Sequence, residues 1–150
     1  MADEPPFAPW PVQRRYPIFY HHLDVLQHLN HAAYFQFMET LRVDYYLPHY
    51  HSKNPADLDI IVAEADAKYF LPVKYGEEIL GEIAPGLPLG RTSFTLLYRF
   101  RTADGSKVVA RGRTVIVCYD YATGAKKEIP HALRARMEKD GVPIDSEGWT

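Results

Sequence analysis

The chemically dense part of the chain is Tyr20-His21-His22-Leu23-Asp24-Val25-Leu26-Gln27-His28-Leu29-Asn30-His31, and six of the seven histidines fall between His21 and His51. Two chemistries fit these residues. His28 and His31, three positions apart with Asp24 upstream, could ligate a metal through nitrogen and oxygen. Against this, the pair straddles a predicted helix start and no HExxH helix is present. The other chemistry is acyl transfer without a metal. A carboxyl group with an ordinary pKa of about 3.9 is ionised at neutral pH, which suits Asp24 to act as a nucleophile or a water-orienting base but not as a general acid. A helix starting just after Asn30 would offer unsatisfied N–H groups and about half a positive charge, polarising a carbonyl oxygen and holding a growing oxyanion more strongly. An alkyl thiol, taking cysteine's pKa of about 8.5 as a guide, can leave as thiolate, whereas an amine or alkoxide needs a proton. One carboxylate and one helix end are enough for a thioester.

These residues must be positioned by the elements around them. Asn30 is a good N-cap, and from His31 to Leu47 there is neither Gly nor Pro until Pro48, which predicts one long helix. Its apolar residues occupy nearly every face and leave Gln36, Glu39 and Thr40 as a thin polar stripe, so the helix should be wrapped by other structure. Past a predicted loop, His49 to Leu58, strand-like runs follow at Asp59–Leu71, Glu78–Ala84, Thr92–Thr102 and Lys107–Tyr119, then a short helix after Pro130. Tyr16–Tyr20 reads as a short first strand, with Pro17 tolerable only at a strand start or edge.

The last two long strands can be registered by pattern. Phe94, Leu96, Tyr98 and Phe100 alternate with Thr95, Leu97, Arg99 and Arg101, while Val108, Ala110, Gly112, Thr114, Ile116 and Cys118 form the matching face across the turn. A three-residue connection, Asp104-Gly105-Ser106, pairs Phe100 with Ala110 and Tyr98 with Gly112. Small residues at Ala110 and Gly112 leave room for the long helix against the sheet. The predicted architecture is α+β, a curved antiparallel sheet around one helix, with residues 1–15 as an extended proline-rich arm and 16–150 as the domain.

The chain has 150 residues, 47% hydrophobic and 24% charged, which is the size and composition of one domain. Seventeen basic against nineteen acidic residues leave a net charge of −2, so there is no global field for nucleic acid or anionic lipid. The single cysteine, Cys118, excludes an intrachain disulfide and a cysteine zinc cage. No run approaches the roughly 20 apolar residues of a membrane span, and Met1-Ala2-Asp3-Glu4-Pro5-Pro6 is unlike a signal peptide, so the expectation is a cytoplasmic protein.

Asp24, His28, Leu29, Asn30, Tyr34, Glu39 and Arg42 together resemble, in order and spacing, the signature of the hotdog-fold acyl-CoA thioesterases of the 4-hydroxybenzoyl-CoA thioesterase type. The resemblance continues through Tyr69-Phe70-Leu71-Pro72-Val73-Lys74-Tyr75-Gly76-Glu77-Glu78 and ends in Ala122-Thr123-Gly124 and Ile129-Pro130, covering about residues 16 to 138. It implies a hotdog fold and hydrolysis of an acyl-CoA or acyl-carrier thioester without a cofactor. It also implies at least a homodimer or a dimer of dimers, with Asp24 as the catalytic carboxylate and the N–H near His31 as the carbonyl-polarising donor. The His31 side chain adds a titratable group there, and His28, Asn30 and Tyr34 would fix the loop or touch substrate. Two positions depart from the signature: Gln27 stands for the usual glycine, so the loop should bend differently if φ > 0 is needed, and His31 stands for the second asparagine. A hydratase on the same fold is disfavoured because no Asp-x-Asn-Pro-x-x-His arrangement occurs. A non-catalytic acyl-binding hotdog is the rival, supported by Gln27.

Glu39 and Arg42, at i,i+3, are expected to pair on the helix surface. The predicted register also sets Arg99 opposite Arg111, a like-charge pair that needs a carboxylate, solvent or an anion between its members. In thioesterases of this kind the coenzyme A phosphates lie on the protein surface, so the resemblance implies Arg91, with Arg99 or Arg113 helping, as a candidate for contacting them, the alternative being a solvated or subunit-facing basic stripe.

Overall fold

The computed structural model describes residues 9–48 and 59–144, so the predicted loop His49 to Leu58 lies outside the described residues. In chain order the elements are β1 (Val12–Pro17), a 3-10 turn (Tyr20–His22), α1 (His31–Tyr46), β2 (Ile60–Tyr69), β3 (Glu78–Leu87), β4 (Ser93–Thr102), β5 (Val108–Asp120), β6 (Ala125–Lys126), α2 (His131–Asp140) and β7 (Val142–Pro143). The main sheet runs β1-β3-β4-β5-β2 with antiparallel neighbours, and α1 lies against it.

The first strand differs from expectation. It begins at Val12 rather than Tyr16 and pairs along its length with β3 (Val12↔Ile83 to Pro17↔Glu78), so part of the predicted arm belongs to the sheet. The prolines permit this because Pro17 is the last residue of an edge strand, where its missing N–H disturbs little.

Helix α1 starts where Asn30 caps it, the Asn30 Oδ1 accepting from Ala32 N at 3.0 Å. Its buried residues, Ala33, Tyr34, Phe37, Met38, Leu41, Tyr45 and Tyr46, form one helical stripe, while Ala32, Gln36, Glu39 and Thr40 are exposed. The sheet packs on this stripe. Small residues make the contact close. A Cβ on Gly112 would lie 2.6 Å from Met38 Sδ, and one on Gly81 would lie 2.7 Å from Tyr16 Cε2.

The predicted β4–β5 register is present: Phe100 faces Ala110, Tyr98 faces Gly112 and Arg99 faces Arg111. The turn is one residue longer than expected. The register shifts after Phe100 so that Arg101 pairs with Val108, leaving Val109 as the extra residue, and Thr102 N donates to Lys107 O at 2.9 Å. Asp104 organises the turn through one oxygen that accepts from Thr102 Oγ1, Ser106 N and Ser106 Oγ, which holds its pKa down to about 2 with the Thr102 hydroxyl the largest cause. Gly105 supplies the positive φ of +75°.

The outer face of the sheet carries a polar centre. Phe100 and Gly81 face α1, so alternation turns Glu82, Arg99 and Arg101 the other way. Glu82 is fully buried between both guanidinium groups, and Trp10 covers them with its ring 4.3 Å from the Arg99 Cζ. Trp10 packs with Ala84, Leu97 and Val142, so the arm and the segment after α2 close this face together.

Candidate active site

Asp24 sits in a tight reversal between the 3-10 turn and α1. Leu23 bridges Leu29, Asp24 N donates to His28 O at 2.8 Å, and Gln27 N donates to Asp24 O at 3.0 Å. The Asp24 side chain completes the turn, its Oδ1 accepting from Leu26 N at 2.9 Å and His28 N at 3.1 Å. The second oxygen, Oδ2, accepts nothing from the described residues. Gln27 has φ +65°, so the turn is made as a glycine would make it, and the expectation that the loop must bend differently is corrected. The cost is the αL conformation in an L-residue, on the order of 1 kcal/mol.

The reversal is anchored from outside. His28 bridges Lys74, Leu29 N donates to Val73 O at 2.7 Å, and Asn30 N donates to His22 O at 2.8 Å. The segment at 70–78 is held in turn: Phe70 N and Leu71 N both donate to the carbonyl of Val109, the extra residue of β5, and Gly76, with φ +83°, donates to Ile18 O. The family-like run from Tyr69 to Glu78 is therefore the bracket that fixes the Asp24 loop. His22 adds a pin, since its Nδ1 accepts from Phe19 N at 2.9 Å. Burial, and then the neighbouring His21, hold the His22 imidazole below its ordinary pKa.

Asp24, His28, His31 and Tyr34 line one open cleft of about 370 Å3, whose other wall is Leu29 and Tyr69 through Val73. At the mouth of α1 the donors are nearly all used. Ala32 N is capped by Asn30 Oδ1 and Ala33 N donates to Asn30 O, which leaves His31 N without an acceptor among the described residues. Asp24 and His31 both line this cleft. Tyr34 is buried there, and burial first, then Tyr69 and Glu77, push its phenol far above the ordinary value, so it stays protonated.

Asn30 acts as the cap, and its side chain makes no other hydrogen bond among the described residues. Arg99 is not brought to the cleft: it lies buried on the outer face beside Glu82, which supplies the carboxylate that its position opposite Arg111 demanded. Arg91 is exposed, pairs with Glu128 at 3.1 Å and precedes the far end of β4, where roughly 23 Å of strand separates Ser93 from Phe100 beside Tyr34. Within one chain it does not meet Asp24. Arg113 pairs with Asp66. The Glu39–Arg42 pair does not form, because Arg42 Nη1 reaches inward to the Tyr98 hydroxyl at 3.3 Å. Tyr69, Phe70 and Leu71 are cleft residues that the sequence marked only as part of a motif; their apolar, aromatic character beside Pro72 was the available signal. Cys118 is buried in β5, and burial pushes its thiol up, so it offers no nucleophile. Among the described residues no group of three or more His, Cys, Asp and Glu is arranged to hold a metal ion.

The profile of the thioesterase-like superfamily matches residues 20–137, which spans the Asp24 loop, α1 and the whole sheet except β1 and β7. The chain belongs to this superfamily. Its fold is the hotdog fold expected from the sequence, α+β with a central helix on a five-strand antiparallel sheet. Solved hotdog structures superpose closely. A thioesterase of Thermus thermophilus, complexed with coenzyme A and Zn, is 24% identical with a TM-score of 0.78, covering 89% of this chain and 96% of its own. A thioesterase superfamily protein of Jannaschia sp. CCS1 is 23% identical at a TM-score of 0.79, covering 89% and 84%. The Staphylococcus aureus protein SAV2348, in complex with CoA, is 12% identical at a TM-score of 0.77, covering 92% of each chain. No curated protein sequence matches this superfamily member. Among its described residues no helix is long and apolar enough to cross a membrane.

Proposed function

We propose that this superfamily member is an acyl-CoA thioesterase in which Asp24 and the His31 amide act on the same thioester carbonyl. The observation that carries the reading is that Asp24 and His31 line one cleft: among the described residues one Asp24 oxygen accepts from two backbone amides and the other from none, and the His31 N–H at the helix start has no acceptor. Asp24 Oδ2 either attacks the carbonyl carbon directly or takes a proton from the water that does. The carbonyl π electrons move to oxygen, where the His31 N–H and the helix dipole receive the charge. Collapse of the tetrahedral adduct breaks the C–S bond, and coenzyme A leaves as thiolate; in the covalent route, water then hydrolyses the mixed anhydride and restores Asp24. His31 lines the same cleft. Two of the structural relatives are complexes with coenzyme A, which favours that carrier over a carrier-protein thioester.

The test is thiol release from a panel of acyl-CoA esters by the purified chain. Release from at least one ester, abolished in Asp24→Asn, is the expected result. No release from any ester at enzyme-level concentrations would overturn the reading in favour of a binding protein.

A further inference from the structure

Five tyrosines of α1 and the sheet, Tyr16, Tyr34, Tyr45, Tyr46 and Tyr98, are buried, and three of them have a hydroxyl partner that can be named. Tyr16 bonds Phe37 O and Thr40, Tyr45 bonds Asp140, and Tyr98 bonds Thr114 and Arg42. Tyr34 differs from these three. It is only 3% exposed and its ring is fixed among Phe37, Tyr69 and Phe100, with centroids 6.4, 5.3 and 5.2 Å away, yet its hydroxyl has no hydrogen-bond partner among the described residues. A phenol placed this deep normally finds one, because an unpaired buried hydroxyl is costly. Its oxygen is not sealed in the interior, and the residue lines the cleft with Asp24 and His31.

We infer that the Tyr34 hydroxyl is a specificity-determining donor to a neutral oxygen on the acyl group, so that the cleft prefers hydroxy- or oxo-acyl thioesters to unsubstituted ones of equal length. This rests on the thioesterase reading. Tyr34 lies three residues beyond His31, about 4.5 Å along the helix axis. A carbonyl held at the helix mouth thus leaves the acyl chain to pass the phenol, between it and the apolar wall at Tyr69–Leu71. The phenol remains a donor throughout the neutral range, because burial and the nearby Glu77 oppose its ionisation. The oxygen it meets must be neutral. Asp24 in the cleft and Glu77 close by repel a carboxylate, and a protonated amine has no lone pair to accept.

The experiment compares 3-hydroxybutanoyl-CoA with butanoyl-CoA on the wild-type chain and on Tyr34→Phe, which keeps the ring and removes only the hydroxyl. The wild type should favour the hydroxy ester in kcat/KM by about tenfold, the size of one net hydrogen bond, and Tyr34→Phe should bring the ratio near one. Melting of the variant should be unchanged or slightly higher, since no protein partner is lost. A ratio that is the same in both proteins overturns the inference, as does an equal fall on both esters, which would place the hydroxyl on the common thioester portion. If neither ester is hydrolysed, the catalytic reading is decided separately by the wider ester panel. Calorimetric Kd values for the same esters and proteins then decide the preference, and equal affinities or no binding overturn it.

Discussion

Glu82 accepts from Arg99 Nε and from Arg101 Nη2, each at 2.6 Å, with all three side chains buried beneath Trp10. One carboxylate thus meets both guanidinium groups inside a sheet, and Gln13 from β1 donates to the same carboxylate. Removing it takes away a buried anion that both guanidinium groups bond. Glu82→Ala should destabilise the fold by about 3 to 5 kcal/mol, read as a lower urea midpoint, whereas Arg113→Ala, whose pair with Asp66 is partly exposed, should shift it less. Similar midpoints for the two variants would contradict this assignment.

Asp24 has a structural and a chemical duty that different substitutions separate. Asp24→Asn retains an oxygen for Leu26 N and His28 N and should melt like the wild type while turnover falls about 10²- to 10⁴-fold. Asp24→Ala should lose turnover and also about 1 to 2 kcal/mol of stability, because two turn amides lose their acceptor. Thiol-release kinetics beside thermal melts distinguish these outcomes.

Gln27→Gly should raise stability by a few tenths to about 1 kcal/mol, the relief of φ +65° being partly offset by a more flexible unfolded chain. Activity should survive, since the turn is already made. A loss of melting temperature would mean that the glutamine side chain contributes more than its backbone costs.

His22 should make the fold sensitive to acid. Its pKa is lowered in the folded state from the ordinary 6.5, mainly by burial and then by His21, the charged neighbour that faces it, while Phe19 and Phe37 on its other sides do not titrate. The unfolded chain therefore binds the proton more readily. The contribution is fully present above pH 6.5 and is lost as pH falls through that value toward the lowered one, where a protonated Nδ1 can no longer accept from Phe19 N. His22→Asn supplies an oxygen that does not titrate. Melting temperatures between about pH 5 and 7.5 should slope less in the variant; equal slopes would remove His22 from the account.

The edge strand β2 exposes Ile61, Val62 and Tyr69, followed by Phe70 and Leu71, and among the described residues its outer backbone has no strand beside it. We expect a second copy to pair there, as an unprotected apolar edge invites. Light scattering on the purified protein should give at least twice the monomer mass, and Ile61→Lys with Val62→Glu should shift it toward monomer. A wild type that runs as a monodisperse monomer would count against the dimer.

Much of the sheet could be read from pattern because its faces alternate cleanly. Small residues at Ala110 and Gly112 opposite Phe100 and Tyr98 fixed the register even though the turn proved one residue longer, since the Val109 bulge absorbs the difference. The cap at Asn30 and the Asp24 loop were legible from residue types with strong local preferences. What escaped was non-local. Nothing near Glu82 in sequence says that it will meet Arg99 and Arg101, so the arginines looked like a surface stripe. Nor could the prolines before Tyr16 reveal that Trp10 reaches across the sheet. The positive φ of Gln27 was hidden for a different reason: residue type disfavours it, and only the bracket at 70–78 compels it.

The indole of Trp10 gives the arm a consequence for handling the protein. Shortening the chain past this residue would uncork a charged cluster otherwise kept dry and admit solvent between β3 and β4 from behind. Such a fragment would retain every residue of the cleft and still lose the rigidity on which the cleft's alignment depends.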